Sequence, residues 1–107
     1  NSARIIVLVS MSGKRSKGKL ASYSMSKFAL MSLCQTMRNE GWNQGIRVTA
    51  ICPGWVNTDM AKGINHFKKE DMTQTTDIAN ICANLLELPN TSVPFEIALN
   101  CQLEATN

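Results

Sequence analysis

The run Arg4-Ile5-Ile6-Val7-Leu8-Val9 is apolar at every position after the arginine and rich in β-branched residues. A strand with one wet face alternates apolar and polar residues. A continuous apolar run of this length suits a strand covered on both faces, as in a parallel sheet. Two further runs repeat the theme. Ile46-Arg47-Val48-Thr49-Ala50-Ile51-Cys52 stops at Pro53-Gly54, and Phe95-Glu96-Ile97-Ala98-Leu99 follows Pro94. Helical patterns lie between them. From about Ser22 to Trp42, the residues Phe28, Ala29, Leu30, Met31, Leu33, Cys34 and Met37 cover more than one helix face. Lys27 is the only charge between Tyr23 and Met37. Such a helix needs cover on two sides, its own sheet on one and another helix or subunit on the other. Gly41 and Gly45 mark its end. Thr75 or Thr76 caps a second helix, with Asp77 at its positive end. Ile78, Ile81, Cys82, Leu85 and Leu86 form a one-sided apolar stripe on it, and Pro89 stops it.

The order is β-α-β-loop-α-β. Strands alternating with helices of this length predict an α/β fold, a parallel sheet with right-handed crossovers and helices on its faces. The 107 residues amount to one small domain. A hydrophobic share of 44% against 18% charged is an ordinary globular balance and argues against disorder. The net charge of +3 is too small to imply a nucleic-acid partner. Cys34, Cys52, Cys82 and Cys101 are widely spaced and form no ligand-like cluster with His66, so no metal site is expected. The sequence shows no signal peptide and no apolar run long enough to span a membrane. Reduced thiols in the cytoplasm are the resulting expectation, and Asn90-Thr91-Ser92 reads as a plain loop.

Three features fall where an open α/β sheet binds its ligands, just past the carboxyl ends of strands. Ser10 directly follows the first strand. Tyr23 and Lys27 open the next helix, and Pro53 to Thr58 follow the second strand. Tyrosine and lysine four residues apart share a helix face, one turn from each other. A fixed ammonium beside a phenol favours the phenolate, which brings proton exchange closer to neutral pH than the usual phenol value of about 10.

These residues match a known pattern. Tyr23-x-x-x-Lys27 resembles the Y-x-x-x-K of the short-chain dehydrogenase/reductase family, and Ser10-Met11-Ser12-Gly13 resembles its S-x-x-G. The interval from Ser10 to Tyr23 is the one usual in that family, and the resemblance therefore selects Ser10 over Ser12. Pro53-Gly54-Trp55-Val56-Asn57-Thr58 is similar to the P-G-x-V-x-T segment, and Asp77-Ile78-Ala79 to the D-I-A before the last core strand. The resemblance implies the C-terminal portion of a Rossmann-type doubly wound sheet. It also implies NAD or NADP as cofactor and a small alcohol or carbonyl substrate. The long apolar helix from Tyr23 predicts association through that face as a homodimer or homotetramer, and neither charge nor hydropathy points to a nucleic-acid or membrane partner. Ser10, Tyr23 and Lys27 would be catalytic. Tyr23, Lys27, Pro53, Gly54, Val56 and Thr58 would hold the cofactor. The backbone of Val56 and the side chain of Thr58 would take the carboxamide.

The resemblance covers nearly the whole chain but about half of the family's domain. No G-x-G-x-x-G or related glycine cluster is present, nor is the family's N-A-G strand end. Residues 1–107 are therefore expected to form a single partial domain, the C-terminal half of an NAD(P)-binding Rossmann domain with the N-terminal nucleotide-binding half absent. The alternative is a truncated, non-catalytic remnant acting as an assembly or interaction module. The tail also departs from the family. A D-G-G-like turn commonly ends the last core strand, whereas here the chain reads Leu99-Asn100-Cys101-Gln102-Leu103-Glu104. The basic loop Lys14-Arg15-Ser16-Lys17-Gly18-Lys19 reads as a solvated loop. Met60, Ile64 and Phe67 lie in the stretch that resembles the family's substrate loop, and His66 reads as a surface residue.

Overall fold

The computed structural model describes residues 2–10, 21–58, 68–102 and 104, with side chains in the first helix from residue 25 onward. The basic loop 14–19 and the residues Met60, Ile64, His66 and Phe67 lie outside them. Three strands, β1 (Ala3–Leu8), β2 (Ile46–Pro53) and β3 (Glu96–Leu99), form one sheet in the order β1-β2-β3. Both pairings are parallel, with Ala3 opposite Ile46, Leu8 opposite Ile51 and Pro53 opposite Leu99. Helix α1 (Ala21–Gly41) joins β1 to β2, and helix α2 (Thr75–Glu87) joins β2 to β3.

Parallel neighbours need crossovers, and α1 makes the first one by lying along the sheet. Val48, Ala50 and Cys52 alternate onto one face of β2 and pack with Val9 and with Cys34 of α1. Leu30, Met31 and Met37 of α1 close over them. Burial pushes the Cys34 thiol above its ordinary range. Gly45, in the left-handed region at φ 80°, turns the chain from the end of α1 into β2. Its carbonyl oxygen accepts from Ala3 N at 3.1 Å and from Asn90 Nδ2 at 3.1 Å. Asn90 thus ties the loop before β3 to the start of the sheet.

The other face of β2 carries Thr49 and Ile51, both fully buried. Arg4 is paired in register with Arg47 and shares that face. Its guanidinium donates to the carbonyl oxygens of Leu88 at 3.4 Å and Pro89 at 3.3 Å, just past α2. The end of α2 therefore lies on the face opposite α1, and the sheet is wound on both sides. Two crossovers that advance the same way across a sheet but lie on opposite faces have opposite hands. The expectation that both are right-handed fails for one of them. The apolar pattern of a fully buried strand does not say which face meets which helix.

The sheet covers one side of α1. Met25 is 71% exposed and Leu33 53%, with Phe28 exposed beside them. The first strand also stands open. Within the described sheet β1 pairs only with β2, and Leu8 on one of its faces is 53% exposed, with Ile5 exposed on the other. No described helix is long and apolar enough to cross a membrane.

Candidate active site

The parallel register brings the carboxyl ends of β1 and β2 side by side. Val9 N donates to Ile51 O at 2.7 Å, so Ser10 leaves the sheet next to the last residues of β2. Ser10 is half-buried and has φ 145°, a backbone region that residues with a side chain rarely adopt. Such a conformation costs on the order of 1–3 kcal/mol and persists only where the surroundings hold it.

Helix α1 runs antiparallel to the strands, so its first turns reach the same end of the sheet. Met31 Sδ stands 3.9 Å from Cys52 Sγ, level with the end of β2. Lys27 lies four residues earlier, which is about 6 Å further along the axis at roughly 1.5 Å per residue. Its side chain is half-buried. Tyr23 stands one turn beyond, in the first turn of α1, and its side chain lies outside the described residues.

The third element is the chain after β2. Gly54 N donates to Leu99 O at 2.8 Å, the last ladder bond to β3. Trp55 O then accepts from Thr73 N at 3.0 Å, and Asn57 N donates to Thr73 O at 2.9 Å. The result is an isolated parallel bridge between Val56 and Thr73. In such a bridge the N–H and C=O of Val56 itself point away from Thr73. An outward-turned peptide edge of this kind offers one donor and one acceptor, the complement of a primary carboxamide. Thr58, two residues on, is exposed. Ser10, the start of α1 and the segment 53–58 thus share one end of the sheet.

Residues outside the predicted set hold this segment. Thr73 is buried. Gln74 Nε2 donates to Lys69 O at 2.9 Å and Met72 O at 3.0 Å, and its Oε1 accepts from Asn57 Nδ2 at 3.0 Å. Gln74 is also the N-cap of α2, where Thr75 or Thr76 was expected. Gln74 N donates to Asp77 Oδ2 at 2.9 Å, half of a capping box. The threonines fall inside the first turn because Gln74 is anchored from outside the helix. An acidic residue three positions after Gln74 was the available sequence signal. Glu104 has no such signal. Its Oε1 accepts from Trp55 N at 3.0 Å across 49 positions. Among the described residues no group of three or more His, Cys, Asp or Glu stands ready for a metal ion.

The family profile described as short chain dehydrogenase matches residues 1–69. That is well over half of the 107 residues. The chain belongs to the short chain dehydrogenase family. Agropine synthesis reductase of Rhizobium rhizogenes is 36% identical to this chain over 104 residues, 97% of the chain and 24% of the relative. A β-ketoacyl-[ACP] reductase from Bacteroides thetaiotaomicron superposes with a TM-score of 0.78 at 35% identity, over 94% of this chain and 41% of that one. A 4-hydroxyisoleucine dehydrogenase mutant complexed with NADH and succinate reaches a TM-score of 0.84 at 23% identity, a likeness of fold alone. The chain thus spans about a quarter of its relative agropine synthesis reductase and under half of the reductase it superposes on.

Proposed function

We propose that this chain is the C-terminal portion of an NAD(P)-dependent oxidoreductase acting between an alcohol and a carbonyl compound. The observation that carries this reading is the meeting of Ser10, the start of α1 and the Val56–Thr73 bridge at the carboxyl end of one parallel sheet. The nicotinamide, when bound, supplies or accepts the hydride. The chain's own residues do the rest. Tyr23 gives its proton to the carbonyl oxygen, or takes it from the alcohol in the reverse direction. Ser10 donates a hydrogen bond to the same oxygen as charge develops, an effect worth about 3 kcal/mol in comparable donor deletions. Lys27, one turn from Tyr23, keeps the phenol acidic and reaches the ribose hydroxyls. Pro53 and Gly54 shape the turn, and Val56 and Thr58 orient the carboxamide and so set which ring face reacts.

The exposed Met25, Phe28 and Leu33 on α1 favour association through that face, as a dimer or tetramer. The absence of a glycine-rich phosphate turn from the sequence favours a chain that does not hold the cofactor by itself. In the full-length protein Tyr23→Phe is expected to lower turnover at least a hundredfold with nicotinamide affinity nearly unchanged. Full activity of that variant sinks the catalytic assignment. Calorimetric titration of the 107-residue chain with NADH and NADPH is expected to show no micromolar binding. Such binding would refute the partial-site reading and leave the catalytic one standing.

A further inference from the structure

We infer that Glu104 is a positioning residue for the Gly54–Val56 segment, so that the C-terminal tail of this chain helps hold the nicotinamide end of the cofactor. The inference rests on the dehydrogenase reading above. Glu104 Oε1 accepts two backbone hydrogen bonds, from Trp55 N at 3.0 Å and from Cys101 N at 3.2 Å. Glu104 N donates back to Cys101 O at 3.0 Å, so the two residues are bonded both ways. The tail therefore grips Trp55 from one side, through its N–H. Thr73 grips it from the other, through its carbonyl. Val56 follows directly, so its outward-turned peptide edge is set by both anchors.

Gly54 shows how close this contact is. A Cβ built on residue 54 lands on the Glu104 carboxylate, and its three nearest atoms all belong to that group. The carboxylate is the far end of a flexible side chain and can swing away. A side chain at 54 therefore costs the two amide bonds rather than a clash with backbone. Both bonds run from a backbone N–H to the same Glu104 oxygen. They also belong to the part of the tail, 99–104, where the sequence departs from the family's turn.

The test is a set of variants of the full-length protein, read by cofactor KM, kcat and amide exchange. Glu104→Ala is expected to raise the KM for the nicotinamide cofactor about tenfold, with kcat within about threefold of wild type. Glu104→Gln keeps the accepting oxygen and is expected to stay within about threefold on both. Gly54→Ala is expected to match Glu104→Ala, and the double variant to be no worse than either, because both remove one anchor. Amide exchange at Trp55 and Cys101 is expected to quicken in Glu104→Ala, with Val48 and Ala50 unchanged. An unchanged cofactor KM in Glu104→Ala, equal damage from Ala and Gln, or additive losses in the double variant would each overturn the proposal alone. A wild-type protein that binds neither NAD(H) nor NADP(H) overturns the dehydrogenase reading and this inference with it.

Discussion

The sulfur of Met31 rests 3.9 Å from the sulfur of Cys52, and the contact sets the height of α1 against the end of β2. Methionine suits this place because its unbranched, polarisable side chain fills irregular gaps. Met31→Ala is expected to cost about 2–3 kcal/mol, since the gap is backed by the fully buried Cys34 and Cys52. Met31→Leu, of similar volume, is expected to cost under about 1.5 kcal/mol. Urea midpoints give both numbers, and equal midpoints for the two variants would contradict the packing argument.

The start of α2 is held from outside the helix. Asp77 accepts from Gln74 N, while the Gln74 amide is tied to Asn57, Lys69 and Met72. Asp77→Ala is expected to lower stability by about 1 kcal/mol. Gln74→Ala is expected to cost more, since it also leaves two carbonyls and the Asn57 amide short of a partner. Chemical denaturation of the two variants ranks them, and the reverse order would show that the cap outweighs the tie to Asn57.

Arg47 stacks 3.6 Å from the centre of the Trp42 ring, which Arg38 approaches at 4.5 Å. Its guanidinium also donates to Trp42 O at 2.8 Å and Asn90 O at 3.2 Å. One planar cation thus binds the turn after α1 to the loop before β3. Lysine cannot stack and fork in this way. Arg47→Lys is expected to cost about 1–2 kcal/mol despite keeping the charge. A thermal unfolding scan would show it, and a transition unchanged from wild type would reduce the stack to a surface contact.

Cys34 makes stability depend on alkaline pH. Desolvation raises its thiol in the folded chain, while the unfolded thiol titrates near its usual value of about 8.5. Below that pH both states keep the proton. Above it the unfolded chain gives up its proton first, so stability falls as pH rises toward the folded value. Cys34→Ala removes this contribution, so the loss of urea midpoint between about pH 7.5 and 9.5 is expected to shrink. An unaltered slope would place the alkaline sensitivity in other groups. In the native protein the half-buried Cys82 should react with a thiol reagent ahead of Cys34, Cys52 and Cys101.

The strands were legible because each apolar run has its own punctuation. Arg4–Val9 became Ala3–Leu8, Ile46–Cys52 became Ile46–Pro53, and Phe95–Leu99 became Glu96–Leu99. The parallel sheet followed from the unbroken apolar character of the first run. The side on which α2 lies did not, because Thr49 and Ile51 are as buried as Val48 and Ala50 and carry no sign of their cover. Gln74 displaced two better capping residues because bonds from Asn57 and the 69–72 backbone outweighed local preference. Ser10, the start of α1 and the segment 53–58 lie at one end of the sheet because parallel strands place their carboxyl ends side by side. Thr73 and Glu104 stayed hidden because their bonds to Trp55 span 18 and 49 positions with no local pattern.

Among the described residues β1 pairs on one side only, with β2. Its outer main-chain groups and the exposed Ile5 and Leu8 offer a ready template for any extended apolar segment. A chain with such a template grows by adding strands, with the tendency rising steeply with concentration. Whatever segment runs alongside β1 therefore acts as a stopper as well as a neighbour. Its loss would show first as turbidity on concentrating or warming the sample, before any loss of helix.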